Sequence, residues 1–229
     1  MKIGILITGH APDALIGKTG DYDKIFARLL SGHGHDFDFA AYAVVDNEFP
    51  DGAEDCDGWL LTGSKHGAYE DHDWIPPLEQ LIRDIHARGL PMIGVCFGHQ
   101  IIAQALGGKV EKFSGGWAIG PTEYDYGDRQ MTMNAWHQDQ VTELPDGAKV
   151  LAGNDFCKNA VLAYGDTTWT VQPHPEFDNG FVDGLIKARG RGLVPDTILN
   201  AAETRLADTI DSPQIAREMA VFFAKAGAA

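Results

Sequence analysis

Apolar residues in the N-terminal part of the chain come in short unbroken runs, separated by stretches with helical periodicity. Residues 3–8 are the first run and predict a buried strand, with Gly9 to Asp13 as the loop at its end. Asp21 then caps a helix whose apolar face is Tyr22, Ile25, Phe26, Leu29 and Leu30, the spacing that 3.6 residues per turn requires. Phe37, Phe39 and Ala41 alternate with Asp36, Asp38 and Ala40, the pattern of a half-buried second strand. Gly58 to Thr62 reads as a third strand, ending at Gly63 and Ser64. A helix starts at Trp74, with Pro76 and Pro77 where missing N–H groups do no harm. Its inner stripe is Leu78, Leu81, Ile82 and Ile85, and Gly89 with Pro91 ends it. Strand, loop and helix repeated in this way open a doubly wound α/β fold.

Beyond Gly107 and Gly108 the pattern changes. Lys109 to Phe113, Ala118 to Tyr126, Arg129 to Asn134, Lys149 to Ala152, Val161 to Tyr164 and Thr168 to Gln172 are short runs divided by turn residues, with no helical pattern between them. They predict an antiparallel or mixed section. Helices return from about Asn179 to the end, and Ile215, Met219, Phe222 and Phe223 make the last apolar face. With no repeat, low-complexity tract or linker, residues 1–229 are expected to form a single domain, a core over 1–180 and a C-terminal helical segment over 181–229.

Charge and cysteine content narrow the classes of function. A net charge of −15, from 18 basic and 33 acidic residues, repels nucleic acid and anionic membranes, so neither is expected as a partner. The acidity is spread along the chain and is read as solubility. Cys56, Cys96 and Cys157 are odd in number and lack zinc spacing, which argues against a disulfide framework and for a reducing compartment. The first apolar run is too short for a signal sequence and no run approaches a membrane span, so the chain is expected in the cytoplasm.

Candidate chemistry begins in Met92-Ile-Gly-Val-Cys-Phe-Gly-His-Gln100. An apolar strand runs into a Gly-x-Cys-x-Gly turn and then a helix, which places Cys96 at a nucleophile elbow. Gly94 and Gly98 are expected to let the backbone bend there without a Cβ clash. The positive end of the helix favours a negatively charged nucleophile, and the Phe97 N–H points at any oxyanion formed by its attack. The competing reading is a small hydrophobe in a glycine-rich corner. The second stretch is Val171-Gln-Pro-His-Pro-Glu-Phe177. In an extended chain, residues two apart point to one side at roughly 6.6 Å, so Glu176 can reach His174, with Pro173 and Pro175 holding the segment off the sheet. A thiol nucleophile needs a base, and the base a partner that fixes its tautomer. Cys96, His174 and Glu176 supply those roles.

Gly94-Val-Cys-Phe-Gly-His-Gln100 and Gln172-Pro-His-Pro-Glu176 resemble the two signature segments of class I glutamine amidotransferases, with Cys96, His174 and Glu176 at the triad positions. Leu61-Thr-Gly-Ser64 is similar to the family loop that completes the oxyanion hole, which assigns Gly63 to that hole with Phe97 and puts Ser64 beside the substrate. Gly63 to Tyr69, through Trp74, resembles the branch related to the amidotransferase part of GMP synthase and to the γ-glutamyl peptidases. Gln100 matches the family glutamine that contacts the glutamyl end of the substrate, and Trp136-His137-Gln138-Asp139 resembles the segment lining that pocket. The resemblance implies hydrolysis of a γ-glutamyl amide through a γ-glutamyl thioester, on glutamine or another small γ-glutamyl compound. The fold class expected is α/β, a doubly wound, mostly parallel sheet flanked by helices, flavodoxin-like, with an additional antiparallel section and C-terminal helices. Pro173 stands where many members carry an aromatic residue, and His99 where an apolar residue is common. The residues after Glu176 are too few for a synthetase domain, so ammonia would go to solvent or to a synthetase subunit on another chain. The remaining class is a non-catalytic glutamine-binding module.

No cofactor or metal is expected. Pro12 to Thr19 ends in Gly-Lys-Thr like a phosphate loop, but opens with Pro12, which has no N–H to offer, and is read as a flexible loop. His33-Gly-His-Asp36 and His66 to His72 fit no common metal spacing and are read as surface histidines.

Overall fold

Burial on both faces turns the unbroken apolar runs into parallel strands. The computed structural model describes residues 1–226. Strand β1 (Lys2–Leu6) pairs in parallel with β2 (Asp38–Tyr42) on one side and β3 (Gly58–Leu61) on the other, and β3 pairs in parallel with β4 (Met92–Val95). The connections are helical. In α2 (Tyr22–Leu30), the Asp21 side chain accepts the Tyr22 N–H, and Tyr22, Ile25, Phe26 and Leu30 are buried. In α3 (Ile75–Ala87), prolines occupy the first turn, where no intrahelical N–H bond is lost, and Ile75, Leu78, Leu81, Ile82 and Ile85 are buried. Helix α4 (Phe97–Ala105) leaves directly from the end of β4.

The rest of the sheet is where the chain pattern was least explicit. Two strands, β9 (Ala148–Ala152) and β10 (Val161–Tyr164), run antiparallel to each other, and β10 runs antiparallel to β11 (Thr168–Val171). Strand β11 then inserts beside β4 in parallel, with Val171 opposite Val95. The seven-stranded sheet has the order β2-β1-β3-β4-β11-β10-β9, whose first five positions follow the flavodoxin-like winding. Two ribbons stand apart from it. In one, β5 (Lys109–Lys112) pairs antiparallel with β8 (Asp139–Glu143); in the other, β6 (Ala118–Asp125) pairs with β7 (Gln130–His137). Sequence periodicity did not predict β8, and it ended β7 before Ala135. Polar residues at 138–140 mask a strand whose inner face is only Gln140 and Val141.

Helices cover both faces. One apolar cluster joins Ile3, Ile5 and Val95 of the sheet to Phe26 of α2 and to Ile215, Met219 and Phe223 of α7 (Ser212–Ala226). The other joins Leu6, Trp59 and Leu61 to Ile82 of α3 and Ile102 of α4. Between β11 and α7 lie α5 (Asn179–Leu185), a π turn over Ile186–Gly190, and α6 (Asp196–Arg205). The helical stretch anticipated to the chain end includes 227–229, which lie outside the described residues. Residues Asp13–Thr19, expected as a loop, form the short helix α1. Gly17 and Lys18 therefore sit inside a helix, which cannot wrap a phosphate as a glycine loop does. Among the described residues, no helix is long and apolar enough to cross a membrane.

Candidate active site

Strand β4 ends at Val95, and the next residue takes φ 53° and ψ −101°. Apart from Asn47, Cys96 is the only non-glycine residue with positive φ among the described residues. Holding a side-chain-bearing residue there costs of order 1–3 kcal/mol, so its surroundings must enforce it. Three backbone bonds do so: Cys96 N–H to Val171 O at 2.9 Å, Gln100 N–H to Cys96 O at 3.0 Å, and Gly98 N–H to Thr62 O at 3.0 Å. The flanking glycines spare the bend a Cβ clash, as expected. Neither Gly94 nor Gly98 has positive φ. A Cβ on Gly94 would fall 2.6 Å from the Gly98 backbone, and one on Gly98 would fall 2.4 Å from Leu61 O. They let α4 press against β3 and β4, and the bend itself is carried by Cys96.

Because β3, β4 and β11 are parallel neighbours, Gly63, Cys96 and His174 leave the sheet on one edge, at the carboxyl ends of the strands. The loop after β3 is pinned by Thr8, whose hydroxyl bonds Thr62 O at 2.9 Å and Gly63 O at 3.1 Å. Beyond β11 the chain does not stay extended as the proline spacing suggested. The His174 N–H bonds Asn134 O at 2.8 Å, and the Phe177 N–H then closes a turn onto His174 O at 3.3 Å. With β11 finished at Val171, the prolines have no ladder to follow, and the turn brings the carboxylate to the ring. His174 Nδ1–H donates to Glu176 Oε1 at 2.7 Å, and the imidazole stacks on Phe177 at 4.1 Å between centroids. Gly63 leaves room for it: a Cβ there would meet the His174 ring at 3.0 Å and Cys96 Cβ at 3.7 Å.

Burial by itself would lower the pKa of His174, but the negative charge and hydrogen bond of Glu176, with the nearby Cys96 sulfur, outweigh it and raise it. Nε2 of the ring has no partner of normal hydrogen-bond geometry among the described residues. Two other buried histidines have no carboxylate beside them. His99, bonded to Thr170 Oγ1 at 2.8 Å, and His137, whose Nδ1–H meets Asp139 O at 3.3 Å, are both lowered to about 3, chiefly by burial. They are neutral at physiological pH. Cys157 is equally unsuited to react, since burial pushes its thiol up to about 12.

Cys96 and His174 face a cleft of about 220 Å³, also lined by Gly63, Ser64, Gln100, Trp136 and His137. Glu176 stands behind His174, with no side-chain exposure. Phe97 contributes only backbone, for its ring packs on Trp74 at 5.5 Å. The N–H groups of Gly63 and Phe97 have no hydrogen-bond partner among the described residues. Gln100, at the start of α4, is buried; its Nε2 donates to Asp139 O at 2.9 Å and to Gln172 Oε1 at 3.1 Å, which leaves Oε1 for the cleft. Ser64 Oγ already accepts the His66 N–H at 3.1 Å.

Several lining residues carried no signal in the chain. Lys65, Lys112 and Arg189 place cations around the mouth of a cleft in an acidic protein, and Tyr22, read only as part of a helix stripe, adds its ring to the wall. Lys112 ends an exposed strand and Arg189 lies in the π turn, so neither position is marked by periodicity. His66 and His72, read as scattered surface residues, converge on Glu70. Spacing along a turn-rich loop does not report where its ends return.

Residues 24–185 match the family model described as Glutamine amidotransferase class-I. Gamma-glutamyl peptidase 4 of Arabidopsis thaliana is 32% identical, with 76% of each chain covered. One subunit of the glutamine-hydrolyzing GMP synthase of Halobacterium salinarum is also 32% identical, over 71% of this chain and 87% of that protein. Among solved structures, a glutamine amido transferase from Methylobacillus flagellatus superposes with a TM-score of 0.75 at 21% identity, covering 99% of this chain and 94% of that one. With the family match spanning the sheet edge on which Gly63, Cys96 and His174 meet, this chain belongs to the class I glutamine amidotransferases.

Proposed function

We propose that the cleft hydrolyses a γ-glutamyl amide, with Cys96 as nucleophile, His174 as base and Glu176 as its orienting partner. The observation that carries this reading is the His174 imidazole, its Nδ1–H committed to Glu176 at 2.7 Å and its Nε2 left unpaired in the cleft that holds Cys96. His174 takes the thiol proton of Cys96 as the sulfur attacks the γ-carbonyl, and the resulting oxyanion is held by the free N–H groups of Gly63 and Phe97. His174, charged at that point, gives its proton to the leaving amine. A γ-glutamyl thioester remains; His174, now neutral, takes a proton from water, and attack of that water releases glutamate and restores the thiol. Gln100, through its free Oε1, and Ser64, Trp136 and His137 hold the glutamyl end.

Glutamate release by the purified chain, measured over glutamine, glutathione and a panel of γ-glutamyl amines, tests this. Cys96→Ala is expected to abolish release from every substrate the wild type turns over; near wild-type turnover would remove the mechanism. A second reading keeps the chemistry and makes the chain the ammonia-supplying subunit of a two-chain synthetase. It is favoured by the relative named as a GMP synthase subunit, most of whose length is matched. Under that reading glutaminase activity rises sharply with a co-purifying partner, whereas full activity of the chain alone counts against it.

A further inference from the structure

We propose that His66, Glu70 and His72 form a binding site for one divalent transition-metal ion of the zinc class, on the wall of the active-site cleft. Each side chain offers one ligand atom, and the three atoms lie within 4.8 Å of one another. His66 Nδ1 is 3.4 Å from Glu70 Oε2, and His72 Nε2 is 2.9 Å from the same oxygen. Around an ion with bonds of about 2.0–2.1 Å in tetrahedral geometry, neighbouring ligand atoms stand about 3.3 Å apart. The two separations from Glu70 bracket that edge and the third is no more than 4.8 Å, so rotations of the three side chains can close them around an ion. Two imidazoles and one carboxylate suit zinc, cobalt or nickel, and are a poor set for magnesium or calcium, which take oxygen.

The loop holds the ligands in place without a metal. The Glu70 N–H bonds Gly67 O at 3.0 Å and the His72 N–H bonds Glu70 O at 3.1 Å, a tight fold that returns His72 to His66. Trp74 is buried and anchored on Phe97; the His72 ring stacks on it at 5.8 Å and the His66 ring meets it edge-on at 5.9 Å. All three ligands keep part of their side chains in solvent, which gives an ion a way in. Three protein ligands leave a coordination position open. Since His66 and Glu70 line the same cleft as Cys96, a carboxylate or amine entering the cleft can reach that position. Metal binding here does not depend on the hydrolytic reading, and its test removes the nucleophile.

The full chain carrying Cys96→Ala, which lacks the nearby thiol as a competing ligand, is stripped of metal and titrated with zinc by calorimetry and with cobalt by visible absorption. One ion per chain is expected, with cobalt bands free of sulfur charge transfer and a higher thermal midpoint with zinc. Outer-shell partners alone are worth about 10–100-fold in metal affinity, so adding His72→Ala should weaken binding by about tenfold or more and cancel the thermal shift. Stripped of metal, the His72→Ala variant should keep the far-ultraviolet circular dichroism and the thermal midpoint of its metal-free parent, which reports an intact fold. Glu70→Gln in the Cys96→Ala background is the second variant, with the same expected loss of affinity. No ion bound, or equal affinity in both ligand variants, would reduce the cluster to a hydrogen-bonded turn and overturn the proposal.

Discussion

The two segments that meet in the cleft are built by opposite means. The elbow at Cys96 is held by packing: two glycines allow backbones to approach so closely that a methyl group has no room, and the strained residue between them is trapped. The turn after β11 is held by polar groups and an aromatic stack: Asn134 O on the His174 N–H, Glu176 on the ring nitrogen, Phe177 under the ring face. A change in the first segment should therefore destabilise the fold, whereas a change in the second should leave stability nearly intact and alter the chemistry. His99 and His137 sharpen the contrast, being as buried as His174 but without a carboxylate, and so lowered where His174 is raised.

The largest expected effect tests the polar segment. Glu176→Gln keeps the shape but removes the largest influence raising the His174 pKa, so the protonated imidazole persists only to lower pH. We expect kcat to fall about 10²- to 10⁴-fold, the alkaline limb of the pH–rate profile to move to lower pH, and the unfolding midpoint to change little. A collapse of the fold with no such change in profile would break the comparison.

Next in size, Gly98→Ala tests the packed segment. Its Cβ would press on Leu61 backbone atoms at 2.4 and 2.9 Å, which cannot swing aside. Urea unfolding should show a loss of about 3 kcal/mol, at the upper end of overpacking costs. Gly17→Ala is the control, since a Cβ there meets nothing within 4 Å; it lies inside α1 and should gain about 0.5–1 kcal/mol.

The smallest effect separates the histidines by pH. For His99 and His137 the folded pKa lies below the unfolded value, so below about pH 6.5 the unfolded state binds more protons and stability falls as pH falls. Each contributes a slope of up to about 1.4 kcal/mol per pH unit between about pH 6 and 5. His174 has the opposite sign: its stabilisation is fully present below about pH 6.5 and is lost as pH rises through its raised folded pKa. Unfolding free energies at stepped pH should show the acid-side slope roughly halved in His99→Gln. An unchanged slope would mean that burial is not what lowers that imidazole.

Much of the parallel half could be read in advance. Tyr22, Ile25, Phe26 and Leu30 at helical spacing after Asp21 became the buried face of α2, and Met92 to Val95 became the strand that delivers Cys96. Local periodicity reports burial, and in a doubly wound fold burial is decided one element at a time. The approach of His174 to Cys96 could not be derived in this way. It depends on β11 choosing β4 as a parallel neighbour after β5 to β10 have intervened, a pairing such as Val171 with Val95, 76 residues apart, with no mark in either run. The recognisable motifs anticipated the meeting by likeness, and the geometry of the turn around Glu176 departed from what spacing suggested.

By itself the sequence determined the winding of the first four strands, the glycine-flanked cysteine between strand and helix, and the nearness of a histidine to a carboxylate two residues on. Tertiary structure alone decided which backbones glycines 94 and 98 let approach, that Lys65, Lys112 and Arg189 share one cleft, and that His66 and His72 turn back on Glu70. The physical reason is range: propensity, capping and periodicity act within a few residues, whereas steric approach and charge act through space, between atoms the chain brings together only when the core closes.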